Sequence, residues 1–72
     1  MNDIKQEIGV KLKSCRQAKS MTQAEVANAL NIPQQQYMRY EVVKHFPSIE
    51  NLIDLCNFFE VSADYLLGLK EY

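Results

Sequence analysis

Apolar residues recur along this chain at helical intervals, and the recurrences divide it into five segments. Ile4, Ile8, Leu12 and Cys15 fall at i, i+4, i+8 and i+11, which places them on one face of a helix from about Asn2 to Lys19. Thr22 followed three residues later by Glu25 is a capping-box pattern that starts a second helix at Thr22, with Val26, Ala27 and Leu30 directed inward. That run stops at Asn31, a residue that tolerates the left-handed backbone of a sharp turn. Pro33 suits the first position of a third helix, where its missing N–H would have no partner anyway, and this helix runs to about Val42. After Pro47, Ser48 caps a fourth helix whose stripe is Ile49, Leu52, Ile53, Cys56 and Phe59. Ser62 caps a last one ending near Gly68. Connections of a few residues, with no repeat, linker or low-complexity segment, predict an all-α, five-helix globule ordered almost end to end.

The third helix has two chemically distinct sides. At about 100° per residue, Tyr37, Tyr40 and Glu41 share one side, while Gln35 and Arg39, flanked by Gln36 and Met38, share the other. Gln34 sits at the N-terminal end. Glutamine can bond adenine N6 and N7 together and arginine can bond guanine O6 and N7, each pair giving about 1–3 kcal/mol of discrimination. A packing side opposite a side rich in such groups, entered through a tight turn, is the pattern of a helix that reads base edges in the major groove.

At 72 residues there is room for one domain, residues 1–72, and its apolar share of 47% is ample for one core. Cys15 and Cys56 supply no disulfide framework, so helix packing must hold the chain together. The net charge of −1 and pI near 5.7 lack the overall basic footprint of a DNA binder. Its distribution changes the picture. Residues 1–40 carry Lys5, Lys11, Lys13, Arg16, Lys19 and Arg39 against Asp3, Glu7 and Glu25; residues 41–72 carry Lys44 and Lys70 against six carboxylates. A domain so polarised can turn its N-terminal side to phosphates.

Residues 8 to 69 resemble the phage repressor and Cro-like (Xre-type) family of lambda-repressor-like helix-turn-helix regulators. Thr22-Gln23, Glu25, Ala27, Leu30, Ile32, Tyr37, Arg39, Tyr40 and Glu41 fall on the family pattern, and Lys44, Pro47-Ser48, Leu52, Val61-Ser62, Asp64 and Leu66-Leu67-Gly68 continue it. The resemblance implies a sequence-specific regulator of transcription, a repressor, that occupies a double-stranded DNA operator; with no signal-peptide pattern or apolar span in the sequence, a cytoplasmic location is expected. The resemblance puts Gln34, Gln35 and Arg39 on bases and Gln23 on phosphate. Gln36, at the flank of the reading side, and Lys44 and His45, in the loop after the third helix, are further candidates for phosphate, with a plain solvent role the alternative for His45. The resemblance also pairs Arg16 with Glu41, tying the first helix to the end of the third. One reading helix covers few base pairs, so a homodimer on a pseudo-palindrome is expected. Val61, Tyr65, Leu66, Leu69 and Tyr72 are the candidate contacts, some of them necessarily spent on the core. The chain departs from the pattern at Asn31, where glycine is usual, at Pro33, where a hydroxyl residue normally caps the third helix, and at Val42-Val43, where a polar residue and glycine are common.

Other chemistry finds little support in the residues. The two thiols, 41 positions apart on apolar stripes, lack metal or redox spacing, and a single histidine, His45, supports no triad or His-based cluster. No nucleophile–base pair, carboxylate dyad or phosphate-binding glycine loop is present, so neither an enzyme nor a cofactor or small-molecule ligand is expected. No signal-peptide pattern occurs at the N-terminus, and no apolar run reaches the roughly 18 residues that span a membrane. The second reading is a protein-interaction module on the same fold, as in an antitoxin or anti-repressor, favoured by the acidic charge and by Val42-Val43 as an apolar patch.

Overall fold

The computed structural model describes residues 4–42 and 45–69. Among these residues there are five helices and no strand: α1 Ile4–Ala18, α2 Gln23–Ala29, α3 Gln34–Glu41, α4 Ile49–Phe59 and α5 Ala63–Leu66. Three of the starts are fixed by side chains. Thr22 Oγ1 accepts from the Glu25 N–H at 3.1 Å while Glu25 Oε1 accepts from the Thr22 N–H at 2.8 Å, closing both halves of the capping box. Ser48 and Ser62 accept from the N–H groups of Asn51 and Tyr65, each at 3.1 Å.

Pro33 corrects the expectation by one residue. It is the N-cap of α3, with φ −56° and ψ 138°, and helical geometry begins at Gln34. The ring fixes φ but leaves ψ free, and Pro33 uses that freedom to leave the turn in an extended conformation while its carbonyl already accepts from the Tyr37 N–H at 3.1 Å. Asn31 has φ 57°, so the α2–α3 turn uses the left-handed conformation expected there. Val42 closes α3 at φ −97°, an ordinary conformation for a β-branched residue. Val43, Lys44 and Tyr72 lie outside the described residues.

Two further non-glycine residues are left-handed: Ser20 at φ 55° and Glu60 at φ 57°. Glu60 ends α4 with its side chain exposed. Removing its Cβ relieves about 1–2 kcal/mol of left-handed strain against the roughly 0.5–1 kcal/mol that glycine's freedom costs. Glu60→Gly is therefore expected to raise the urea midpoint slightly; a lower midpoint would show that the strain is negligible.

The core gathers Ile8 and Leu12 of α1, Val26 and Ala27 of α2, Ile32 of the α2–α3 turn, Tyr37 and Tyr40 of α3, Leu55 and Phe59 of α4, and Leu66 of α5. α1 lies unusually close to the end of α3. A Cβ on Gly9 would stand 2.5 Å from the Glu41 carbonyl oxygen and 3.1 Å from that of Tyr40. The stripe assigned to α4 needs correction, since Ile49 and Ile53 are 73% and 53% exposed while Leu55 is fully buried. Leu52, Leu55, Cys56 and Phe59, spaced i, i+3, i+4 and i+7, are the inward set, and Ile49 and Ile53 flank it. Leu66 is core, whereas Leu69 is 67% exposed. Cys15 and Cys56 are free and half-buried, and burial pushes both thiols up, which favours the protonated form.

Candidate nucleic-acid interface

α3 sorts its side chains cleanly between core and solvent. Tyr37, Tyr40 and Glu41 are buried, while Gln34, Gln35, Met38 and Arg39 are exposed and Gln36 is half-buried at the border. The sorting follows from the 3.6-residue period: the three buried residues span under half the circumference, which leaves Gln34, Gln35, Met38 and Arg39 facing outward and Gln36 at the border. The packed side is stiffened by edge-to-face contact of Tyr37 and Tyr40, whose ring centroids are 6.3 Å apart.

Behind this helix lies a buried polar junction. Arg16 Nε donates to Glu41 Oε2 at 2.8 Å and Arg16 Nη2 donates to Glu41 Oε1 at 3.2 Å, a bidentate pair from α1 to the end of α3. Arg16 Nη1 donates to the Met21 carbonyl at 2.9 Å, and Gln23 Nε2 donates to Glu41 Oε1 at 3.1 Å. One carboxylate thus joins α1, the start of α2 and the end of α3. Burial pushes the Glu41 carboxyl up, but the hydrogen bonds from Arg16 and Gln23 and the nearby Tyr37 hydroxyl outweigh it and hold the group below the usual carboxylate range. The Tyr37 phenol is pushed up by burial and by the Glu41 carboxylate. Its hydroxyl sits close to Glu41 yet is not aligned for a hydrogen bond with any group.

The outward groups lie on the second of two helices joined by a tight turn, and a family model described as helix-turn-helix matches residues 12–66. The chain belongs to the helix-turn-helix family. It is similar to the HTH-type transcriptional regulator ImmR of Bacillus subtilis (41% identical over 89% of this chain and 50% of ImmR). It is also similar to the transcriptional repressor RstR of the cryptic phage CTXphi in Vibrio cholerae (34% over 86% of this chain and 55% of RstR). A third relative is the HTH-type transcriptional activator BcrR of Enterococcus faecalis (32% over 90% of this chain and 32% of BcrR). The chain spans about half the length of the first two and a third of the last.

Within the helix-turn-helix, Gln34, Gln35 and Arg39 share the exposed side of α3. Gln23 is half-buried at the start of α2 with one amide hydrogen bonded to Glu41, and Gln36 donates its amide inward to the Tyr40 hydroxyl at 2.6 Å. His45 is exposed just beyond α3, its N–H donating to the Arg39 carbonyl at 3.4 Å, and Lys44 lies outside the described residues. Sequence reasoning missed Lys13. It is exposed and lines the same groove as Gln23 and Thr22, a placement that follows from its sitting one turn before Arg16 on α1. Two other lysines point elsewhere: Lys11 Nζ lies 4.7 Å from the Tyr65 ring centre and Lys19 Nζ 5.5 Å from that of Phe58. The N-terminal charge excess is thus shared between the helix-turn-helix and the aromatic rings of α4 and α5.

Proposed function

We propose that this helix-turn-helix protein is a sequence-specific double-stranded DNA-binding regulator of transcription that acts as a repressor by inserting α3 into the major groove. The observation that carries this reading is the segregation on α3, whose exposed side offers two glutamines and an arginine able to pair with base edges while the opposite side is built into the core. Gln34, Gln35 and Arg39 read bases. Lys13 and Lys44 neutralise phosphates, and Gln23 and His45 hydrogen-bond to them, while Gln36, expected to join this set, has its amide turned to the Tyr40 hydroxyl. The relatives support regulation of transcription in general, and one carries the name of a repressor. No step of this action calls for catalysis or a cofactor.

Specificity comes from a homodimer reading two half-sites roughly 34 Å apart. Leu66 is committed to the core, so the C-terminal contacts fall to Val61, Tyr65 and exposed Leu69, with Tyr72 beyond the described residues.

Selection of bound duplexes from a randomised pool tests the reading, with enrichment of a two-fold symmetric site as the expected result. On that site Arg39→Ala should relax preference at one position and cost about 1–3 kcal/mol, while Gln23→Ala should weaken all sequences alike. Equal losses on specific and random DNA for both variants would refute the division of roles. A second reading, a protein-interaction module, is favoured by the exposure of Val42, Phe46, Ile49 and Ile53. A wild-type protein that enriches no duplex would support it.

A further inference from the structure

The hydroxyl of Tyr40 is the meeting point of two helices. Its ring is buried in the core at 3% exposure, and its oxygen accepts from Gln36 Nε2, one turn earlier on α3, at 2.6 Å and from Asn51 Nδ2, on the first turn of α4, at 2.9 Å. Among the described residues this is the side-chain hydrogen bond that joins α3 to α4. Asn51 is itself anchored, since its N–H donates to Ser48 Oγ at the cap of α4. A phenol oxygen has acceptor room for both amides, so each donor is satisfied by one atom.

We infer that Tyr40 and Asn51 are positioning residues for base reading: through the Tyr40 hydroxyl they fix the roll of α3 and hold Gln36 away from the groove. The inference rests on the DNA-reading proposal and adds residues that touch no base. Its physical basis is that a helix held at one point can roll about its axis. The Arg16–Glu41 pair holds α3 from the α1 side at its last residue. The Tyr40 hydroxyl holds it from the α4 side, about 100° around the helix. Two ties on different sides fix the direction in which Gln35 and Arg39 project, and small misplacement of such groups forfeits bidentate geometry. The clamp also takes one amide hydrogen of Gln36 out of play. Gln36 is half-buried beside Arg39 in a cleft of about 360 Å³ that Tyr40, His45 and Asn51 also line, so a released Gln36 has room to turn outward.

Tyr40→Phe removes both hydrogen bonds and keeps the buried ring; Asn51→Leu removes the bond from α4 alone. Three readouts are taken together: the urea midpoint, the affinity ratio between the selected site and a random duplex, and the NMR signals of the Gln36 side-chain amide in the free protein. In both variants the ratio is expected to fall about tenfold, comparable to losing one bidentate base contact, while random-duplex affinity holds or rises. The Gln36 amide signals should move in Asn51→Leu, because the two amides share the Tyr40 oxygen. An unchanged ratio, or a loss shared equally by specific and random DNA in step with the midpoint, would overturn the positioning role. So would Gln36 signals indifferent to Asn51→Leu. A wild type that enriches no site removes the DNA-reading proposal itself and this inference with it, an outcome visible in the wild-type arm alone.

Discussion

Replacing Arg16 by methionine should lower the stability of the domain by about 3–5 kcal/mol, because it leaves a carboxylate buried without its partner. Glu41 keeps only 3% of its side chain exposed and Arg16 14%, so water can do little to compensate. A helical domain of this size carries roughly 3–5 kcal/mol in all, so the variant is expected to be largely unfolded at 25 °C, read by loss of the helical signal in circular dichroism. A midpoint within experimental error of wild type would show that Gln23 alone can hold the carboxylate. The double variant Arg16→Met, Glu41→Leu should recover most of the loss, since two apolar side chains leave nothing uncompensated. The pH dependence follows with a definite sign. The Glu41 carboxyl in the folded chain lies below its ordinary value, so its contribution is fully present above the usual carboxylate range of about pH 4–5 and is lost as pH falls through the lower folded value. Wild type should thus weaken on acidification. In Arg16→Met the direction reverses, because an unpaired buried carboxyl is easier to keep protonated, and the gap between the two proteins should narrow toward low pH.

Gly9→Ala is the second large effect. Alanine gains about 1 kcal/mol of helix propensity over glycine in the middle of α1, yet its Cβ would lie 2.5 Å from the Glu41 carbonyl oxygen, a backbone atom with no rotamer to move aside. Accommodating it requires α1 and the end of α3 to separate, which is overpacking of the kind that costs about 1–3 kcal/mol. A net loss near the top of that range is expected in urea denaturation. The shift would also strain the Arg16–Glu41 bond lengths, so combined with Arg16→Met the two losses should be less than additive. A Gly9→Ala variant as stable as wild type would mean that the two helices slide apart freely.

Much of this architecture is legible in local sequence because local chemistry fixes it. Thr22 and Glu25 satisfy each other's backbone, Asn31 takes the left-handed turn, and the period of α3 separates Tyr37 and Tyr40 from Gln35 and Arg39 without reference to the rest of the chain. The helix-turn-helix itself was for that reason readable. The orientation of α4 was not. Its sequence has apolar residues at 49, 52, 53, 55, 56, 58 and 59, nearly all round the helix, so periodicity leaves the buried side undetermined, and only packing against α5 and the core selects Leu55 over Ile53. Pro33 was displaced by one residue because a fixed φ does not fix ψ. The close approach at Gly9 and the convergence of Gln36 and Asn51 on Tyr40 depend on residues far apart in the chain, and no window of sequence contains them. Lys13 was within reach. One turn before an arginine expected to meet Glu41, it had to project near the same end of the molecule.

The exposed side of α3 contributes almost nothing to the core. Substitutions at exposed positions of this kind typically change stability by no more than about 0.5 kcal/mol. Residues 34, 35, 38 and 39 can therefore vary nearly freely as far as folding is concerned. Under the proposed function three of them, 34, 35 and 39, hold most of the information about which genes are controlled. Such a protein can acquire a new target through one or two surface changes, each passing through folded intermediates, and a duplicated copy could diverge from its parent without a compensating change elsewhere. The buried carboxylate that would unfold the chain if disturbed is the fixed frame within which that divergence takes place.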